Sequence, residues 1–361
     1  MWPYWLLFFI PAYLSISRLQ LISSTTLARR RTHSSFEWQV MYVFLVLMIG
    51  LRHETGGDWV QYSQLLDSYA EPDADAKFLF QDPAFVLLYV LGARSGLGLY
   101  LVNFLSAIIF SWGLLVFCRS QPRPWLALVV AVPYLITVVA IGYTRQGAAI
   151  GIAMVAMVAL SQGSTRRFMF WIAIAALFHK SAILLVPMAV VAGTERRLIT
   201  AFWVVVGGLT LFVLLLQEAA SFLVAGYIDA GYQSSGASIR ITMNVVPAVI
   251  FLLFRKRFDL SRESHSFWTW MSWGALLFVG LLLVSPSSTA VDRVALYWIP
   301  LQVFVFSRVP SALGVREGKN ALLVYAVVVY CAAVHFVWLT YAETAFAWLP
   351  YQFYPWVWLW R

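Results

Sequence analysis

The chain has 361 residues, of which 61% are apolar and 11% charged, and it carries a formal net charge of +9. This balance lies far outside that of a soluble globular domain and marks an integral membrane protein. The apolar stretches are Leu, Val, Ala, Phe and Trp runs of helical length, not alternating ten-residue strands, so helices rather than a barrel are expected to span the bilayer.

Taken in chain order, the apolar runs predict helices at Tyr4 to Ile22, Trp38 to Leu51, Leu99 to Cys118, Trp125 to Ile141, Gly147 to Leu160 and Phe168 to Phe178. They continue at Ser181 to Val191, Leu198 to Leu216, Ile241 to Phe254, Phe267 to Val284, Val294 to Ser307 and Ala321 to Tyr341. The fold class is therefore all-α and polytopic, with about twelve helices in a single integral membrane domain over residues 1–361. The apolar start, Met1 to Ile16, lacks a basic leader and a small-residue cleavage site, and reads as a retained first helix. Cys118 and Cys331 fall in or at the end of apolar runs and offer neither a disulfide framework nor a metal cluster.

Basic residues collect in cytoplasmic loops, and this sets the orientation. One set of alternate loops carries Arg29 to Arg31, Arg119, Arg123, Arg166, Arg167, Arg196, Arg197, Arg255 to Arg257, Arg262, Arg308, Arg316 and Lys319. With Arg18 these are 17 of the 25 basic residues. The opposite loops hold 11 of the 16 acids, among them Glu54, Asp58, Asp82, Asp229 and Asp292. Both termini are then expected to face outward. The charge of +9 is a topology signal and not a nucleic-acid footprint, because the basic residues are scattered over short loops.

Two outward loops stand out. The first, residues 52–98, begins RHETGGDWVQY and contains Pro83 to Leu91, too short to span and expected as an interfacial or re-entrant helix. The second, residues 217–240, is rich in Gly and Ser. On this side stand Arg52, Arg145, Lys180, Arg240 and Arg293, each at a helix end or in a tight turn, where the topology rule disfavours cations. An anionic ligand is the natural reason. Arginine offers a planar fork suited to phosphate or carboxylate, and lysine a compact point charge. Arg145 in IGYTRQG and Lys180 in LFHKSA lie in short turns between half-length apolar runs, where an ionisable group is a functional candidate by default.

Four stretches carry a resemblance: LRHETGGDWVQY with Arg52, Gly56, Asp58 and Tyr62; YTRQG from Tyr143; ALFHKSAILLVP from Ala176; and DRVALYWIP from Asp292. Their order and spacing resemble the EpsG/Wzy-type polysaccharide polymerases, over most of the chain. The resemblance implies a GT-C-like glycosyltransferase that moves a growing glycan from one polyprenyl diphosphate onto a repeat unit carried by another. It implies polyprenyl-diphosphate-linked repeat units and the lipid bilayer as partners, a chain-length regulator and a flippase as associates, and no nucleic acid. No cofactor is expected, since no His-Asp-Glu metal cluster is apparent and cationic side chains would replace a divalent ion.

The substrate-binding candidates are Arg52, Tyr62, Tyr143, Arg145, Gln146, Lys180, Arg240, Asp292 and Arg293. Asp58, Glu54 and His179 are the candidates to take the proton of the acceptor hydroxyl, Asp58 first. Each also has a plainer reading. Arg52 and Arg145 would cap helices, His179 and Lys180 would snorkel to the surface, and Asp292 with Arg293 would form a structural ion pair. Tyr62, Tyr143 and the tail LPYQFYPWVWLW would belong to the interfacial aromatic belt, and His335 and Glu343 would be structural. Rival functions are an O-antigen-type ligase, a flippase or transporter, for which no internal repeat is visible, and a membrane acyltransferase, which would not need several outward arginines.

Overall fold

A glycine pair fixes the centre of the bundle. A Cβ on Gly113 would stand 2.0 Å from the carbonyl oxygen of Gly151, so the two helices that carry them cross backbone to backbone. The computed structural model describes residues 1–19, 36–69, 82–191, 206, 236–315 and 318–359.

Among these residues the elements are α1 (Trp2–Ser17), α2 (Phe36–Gly50), β1 (Arg52–His53), α3 (Trp59–Ser68), α4 (Pro83–Arg94), α5 (Gly98–Arg119) and α6 (Pro124–Ala131), which runs on as a π-helix (Val132–Ala140). Then come α7 (Thr144–Ser161), α8 (Thr165–Phe178), a 3-10 turn (Lys180–Leu185), α9 (Met188–Val191), α10 (Ala237–Phe254), α11 (Arg262–Val284) and α12 (Ser288–Ala295). The chain closes with α13 (Ile299–Leu313), α14 (Ala321–Tyr341), β2 (Gln352–Phe353) and α15 (Tyr354–Leu359). The fold is all-α and polytopic. Six described helices are long and apolar enough to cross a membrane: α5, α7, α10 with its 3-10 extension, α11, α12 with α13, and α14. The predicted helix 198–216 and most of the loop 217–240 lie outside the described residues.

Helix α5 is the hub. Gly50 of α2 and Gly92 of α4 also meet its backbone, with added Cβ atoms at 2.8 Å from Phe104 Cα and 2.6 Å from the Gly98 oxygen. Because lipid is as apolar as the helix surfaces, such close approach through small residues is what holds membrane helices together. Helix α7 is buried on nearly all sides, whereas α11 and α14 expose Trp270, Trp273, Leu277, Leu283, Leu322, Val329 and Phe336 outward, as lipid-facing helices do. Helix α4 is not simply interfacial: Phe85, Val86, Tyr89 and Val90 are buried and only its other face, with Leu87 and Leu91, is exposed.

The aromatic tail departs from the expected interfacial belt. Trp348 is 1% exposed, and its Nε1 donates to the Thr137 carbonyl of the π-helix at 2.8 Å. Tyr351 donates to the Met48 carbonyl, and Gln352–Phe353 pairs antiparallel with Arg52–His53. In the last turn Trp356 and Trp358 are exposed. Trp348, just ahead of the tail, fits into the space left by Gly142, where a Cβ would strike its ring at 2.0 Å, and this anchors the start of the tail against the bundle.

Candidate functional site

The segment after α2 is folded back on itself by its own polar groups. Glu54 takes a left-handed φ of 45° and Gly56 one of 111°, and a Cβ on Gly56 would lie 2.5 Å from the Ile141 oxygen. Arg52, 2% exposed, points into the protein. Its guanidinium donates to the carbonyls of Ile49 (2.6 Å) and Thr55 (3.0 Å), to Asn103 Oδ1 (3.0 Å) and to Thr144 Oγ1 (2.6 Å). Burial lowers its pKa to about 10, so it stays charged at neutral pH. Four of its five donor positions are satisfied within the protein, which ties α2, α5 and the start of α7 together and leaves little for a ligand. Glu54 is exposed and lies 3.6 Å from His53 Nε2, and His53 Nδ1 meets the Tyr100 hydroxyl at 2.6 Å.

Residues of YTRQG have separate partners in other elements. Thr144 bonds to Arg52 and donates to Asn103 Oδ1 at 3.1 Å. Arg145 Nη1 lies 3.2 Å from Asp82 Oδ2, and Gln146 Nε2 donates to the Arg293 carbonyl at 2.5 Å. A Cβ on Gly147 would press on Ala140 Cα at 3.2 Å.

The FHKSA stretch converges on the same carboxylate. His179 is extended (φ −159°, ψ 116°), which ends α8 and lets the 3-10 turn start afresh. Its Nδ1 lies 3.5 Å from Asp82 Oδ2, and the Lys180 amide donates to Asp82 Oδ1 at 3.0 Å. Ser181 Oγ is 3.5 Å from His179 Nε2. Burial raises the Asp82 pKa, but His179, Arg145 and the Lys180 amide outweigh it and hold the carboxyl below its ordinary value. Burial also lowers the His179 pKa below its ordinary value against the opposing pull of Asp82, so the imidazole is neutral at neutral pH.

The fourth stretch, DRVALYWIP, corrects the expected pairing. Neighbours on a helix point apart, and Asp292 takes its partner from another element. Arg240 of α10 binds it bidentately, with Nε to Oδ1 at 2.8 Å and Nη2 to Oδ2 at 2.6 Å. Arg293 instead lies over the Tyr143 ring, 4.3 Å from its centroid, and reaches to 3.9 Å from Asp58 Oδ1. Asp58 also interacts with Tyr62, whose phenol is pushed up by burial and then by that carboxylate. Burial likewise raises the Tyr143 phenol. Tyr62 and Tyr143 thus stand inside the protein beside the charges, not in a lipid-facing belt.

Arg145, with 34% of its side chain exposed, and Arg293, with 30%, are the partly exposed arginines of this cluster, and His179 and the Lys180 amide share Asp82 with Arg145. Such an arrangement can hold a multiply charged anion against a neutral, oriented imidazole. The residue missed by sequence reasoning is Asp82. In QDPAF it reads as the N-cap of α4, since an Asp before Pro at a helix start is the usual signature. Its backbone carbonyl does receive the amides of Phe85 and Val86, but its side chain makes no bond to its own helix and goes to Arg145, His179 and Lys180. Asn103 was also unmarked, being a polar residue inside an apolar run, and so was Trp348, which follows the last apolar run. The hydroxyls of Tyr89 and Tyr297 and the Oε1 of Gln146 are buried without a hydrogen-bond partner. Tyr227, Asp229 and Tyr232 of the second outward loop lie outside the described residues.

No curated protein and no solved structure matches the chain. The model of the EpsG family matches residues 37–353. That span covers most of the chain and contains every residue of the cluster around Asp58 and Asp82, so the chain belongs to the EpsG family of polysaccharide-polymerase-type membrane proteins.

Proposed function

We propose that the protein joins saccharide repeat units carried on polyprenyl diphosphate, in a bacterial cytoplasmic membrane, with the Asp82 end of the bundle facing outward. The observation that carries this reading is the meeting of YTRQG and FHKSA on Asp82, which sets a partly exposed arginine beside a neutral imidazole. The basic loops at the other end support the orientation.

In the reaction the acceptor hydroxyl attacks the anomeric carbon of the donor glycan. The new glycosidic C–O bond forms as the bond from that carbon to the diphosphate oxygen breaks, and polyprenyl diphosphate leaves with the bonding pair. The departing group gains negative charge as the bond breaks, so fixed cations bind the transition state more tightly than the ground state. Arg145, Lys180 and Arg293 take this part, with Arg293 steadied over Tyr143. The hydroxyl proton goes to His179. Asp82 faces Nδ1 and so favours the tautomer with its proton there, leaving Nε2 as the acceptor. Asp58, the first choice by sequence, faces Arg293 at 3.9 Å and does not contact the Asp82–His179 pair. It serves instead, with Tyr62 and Glu54, at the mouth where the acceptor sugar enters. Arg52, Gln146, Arg240 and Asp292 hold these groups in place.

The test is reconstitution. Purified protein in nanodiscs, given polyprenyl-diphosphate-linked repeat units and no nucleotide sugar, is expected to lengthen the glycan, release polyprenyl diphosphate and keep its rate in EDTA. Rate lost on chelation and restored by magnesium would reject the cation-only chemistry. Translocation of the lipid-linked unit without chain growth would make the protein a transporter.

A further inference from the structure

A second polar cleft lies at the other end of the bundle, between the ends of α5, α7, α11 and α13, with a volume of about 270 Å³. It is separate from the Asp82 cluster: Asn103, which bonds to Arg52, and Arg119, which lines the cleft, lie on one helix 16 residues apart, or about 24 Å at 1.5 Å per residue.

The cleft is built, not merely left over between loops. Gln121 is buried, and its Nε2 donates to the Phe117 carbonyl (3.1 Å) and to Ser120 Oγ (2.9 Å), which fixes the amide with Oε1 toward Arg308. Arg308 Nε donates to that oxygen at 3.1 Å. The guanidinium lies over the Phe304 ring, 4.7 Å from its centroid, and Phe304 is stacked on Trp268 at 3.8 Å with 9° between the planes. The Arg308 head is thus held flat against one wall by an aromatic pair and an oriented amide. Arg119, the last residue of α5, lines the same space. The N-terminus of the 23-residue α11 also opens there, with Ser261 as its cap and Ser264 in the lining, and adds positive potential. One carboxylate opposes them: Asp259, exposed, with a left-handed φ of 44°.

We infer that this cleft binds a phosphate group at the end of the bundle opposite the Asp82 cluster. Two guanidinium forks and a helix N-terminus against one carboxylate favour an anion, and the fork geometry matches phosphate bidentately. The volume, near the low end for ligand pockets, suits a head group and not a polysaccharide. The cleft lies at the level where the helices end and where Arg166, Arg167, Arg255 to Arg257 and Arg262 gather, and basic pockets between transmembrane helices at such a level accept anionic lipid head groups. A phospholipid and a soluble phosphate present the same chemistry to it.

The experiment compares the thermal midpoint and native mass spectrum of the purified full chain in three settings: neutral-lipid nanodiscs, nanodiscs containing phosphatidylglycerol, and neutral nanodiscs titrated with inorganic phosphate. A rise with phosphatidylglycerol alone assigns the cleft to a lipid head group, and a rise with inorganic phosphate to a soluble ligand. In either case Arg119→Gln with Arg308→Gln weakens apparent binding at least about tenfold, and the milder Arg308→Lys weakens it in the same direction while keeping the charge. Asp259→Asn, which tolerates the left-handed backbone, tightens binding, an effect that a purely structural role for the cleft would not produce. No response to either probe, or an equal response in wild type and the double variant, overturns the inference.

Discussion

The two ends of the bundle use arginine differently. At the basic end, Arg123 donates to the carbonyls of Gly318 and Lys319, Arg257 lies over Phe254, and Arg308 meets an amide and a ring; the Arg18–Glu37 pair is exposed. At the other end Arg145, Arg240 and Arg293 meet Asp82, Asp292 and Asp58, and the carboxylates of the first two pairs are at most 8% exposed. Arginines that set topology need only reach water or a carbonyl. Arg145, Arg240 and Arg293 on the disfavoured side are instead held in geometry by carboxylates, and desolvated charge of that kind costs stability unless it is paired or used. The contrast separates arginines met by carbonyls, an amide and rings from arginines met by carboxylates.

The largest expected effect comes from the residue on which the site converges. Asp82→Asn removes the charge facing both Arg145 and His179, and turnover is expected to fall about 10³- to 10⁴-fold, as when an orienting carboxylate is lost from a His base. The sign of the pH effect is distinctive. His179 works as a base only when neutral, so activity falls as pH drops through its pKa, which burial holds below the ordinary value of roughly 6.5. Asp82 raises that pKa, so the Asn variant should move the acid limb to lower pH while lowering the plateau. Asp82 itself, with a depressed pKa, contributes stability that is present above the ordinary carboxylate range and is lost as pH falls through the lower folded value.

Next in size is Arg240→Ala, which strands a nearly buried Asp292. A cost of about 3–5 kcal/mol is expected, seen as a lowered thermal midpoint. Gly142→Ala drives a Cβ into the Trp348 ring and should cost about 1–3 kcal/mol by overpacking. Gly280→Ala, where nothing lies within 4 Å, should leave the midpoint unchanged. An equal response at the two glycines would remove the clasp from the account. The orientation has its own test, since the native Cys118 and Cys331 are buried and give no background. A cysteine at Gln64, exposed on α3, should label with an impermeant reagent in intact cells, and cysteines at Ser164 and Lys256 should not. The reverse pattern would invert the topology.

How far the sequence carried this picture depends on what each feature depends on. Helices that only need length and apolarity were legible: Leu99 to Cys118 is Gly98–Arg119, and Ala321 to Tyr341 is found with the same bounds. So was the placement of Arg145 in the first turn of a helix and of His179 at a helix end, because both follow from local breaks in hydropathy. Pairing was not legible. Asp292 has Arg293 next to it in the chain, yet helix geometry points them apart and gives Asp292 to Arg240, 52 residues away. Asp82 carries only an Asp-Pro capping signature in the sequence, and only the approach of α7 and the break after α8 reveal its other side. Arg52 looked available because it follows a helix, but the turn made by Glu54 and Gly56 rolls it inward.

The most direct measurement is chain growth by purified Arg145→Lys beside Arg166→Lys, each at wild-type protein level and thermal midpoint. Lysine keeps the charge but loses the bidentate fork. The account predicts that Arg145→Lys cuts the rate by about 100-fold or more, while Arg166→Lys at the exposed basic end leaves it unchanged. Full-rate polymerisation by Arg145→Lys would contradict it, and would return Arg145 to the same class as the arginines that only orient the chain.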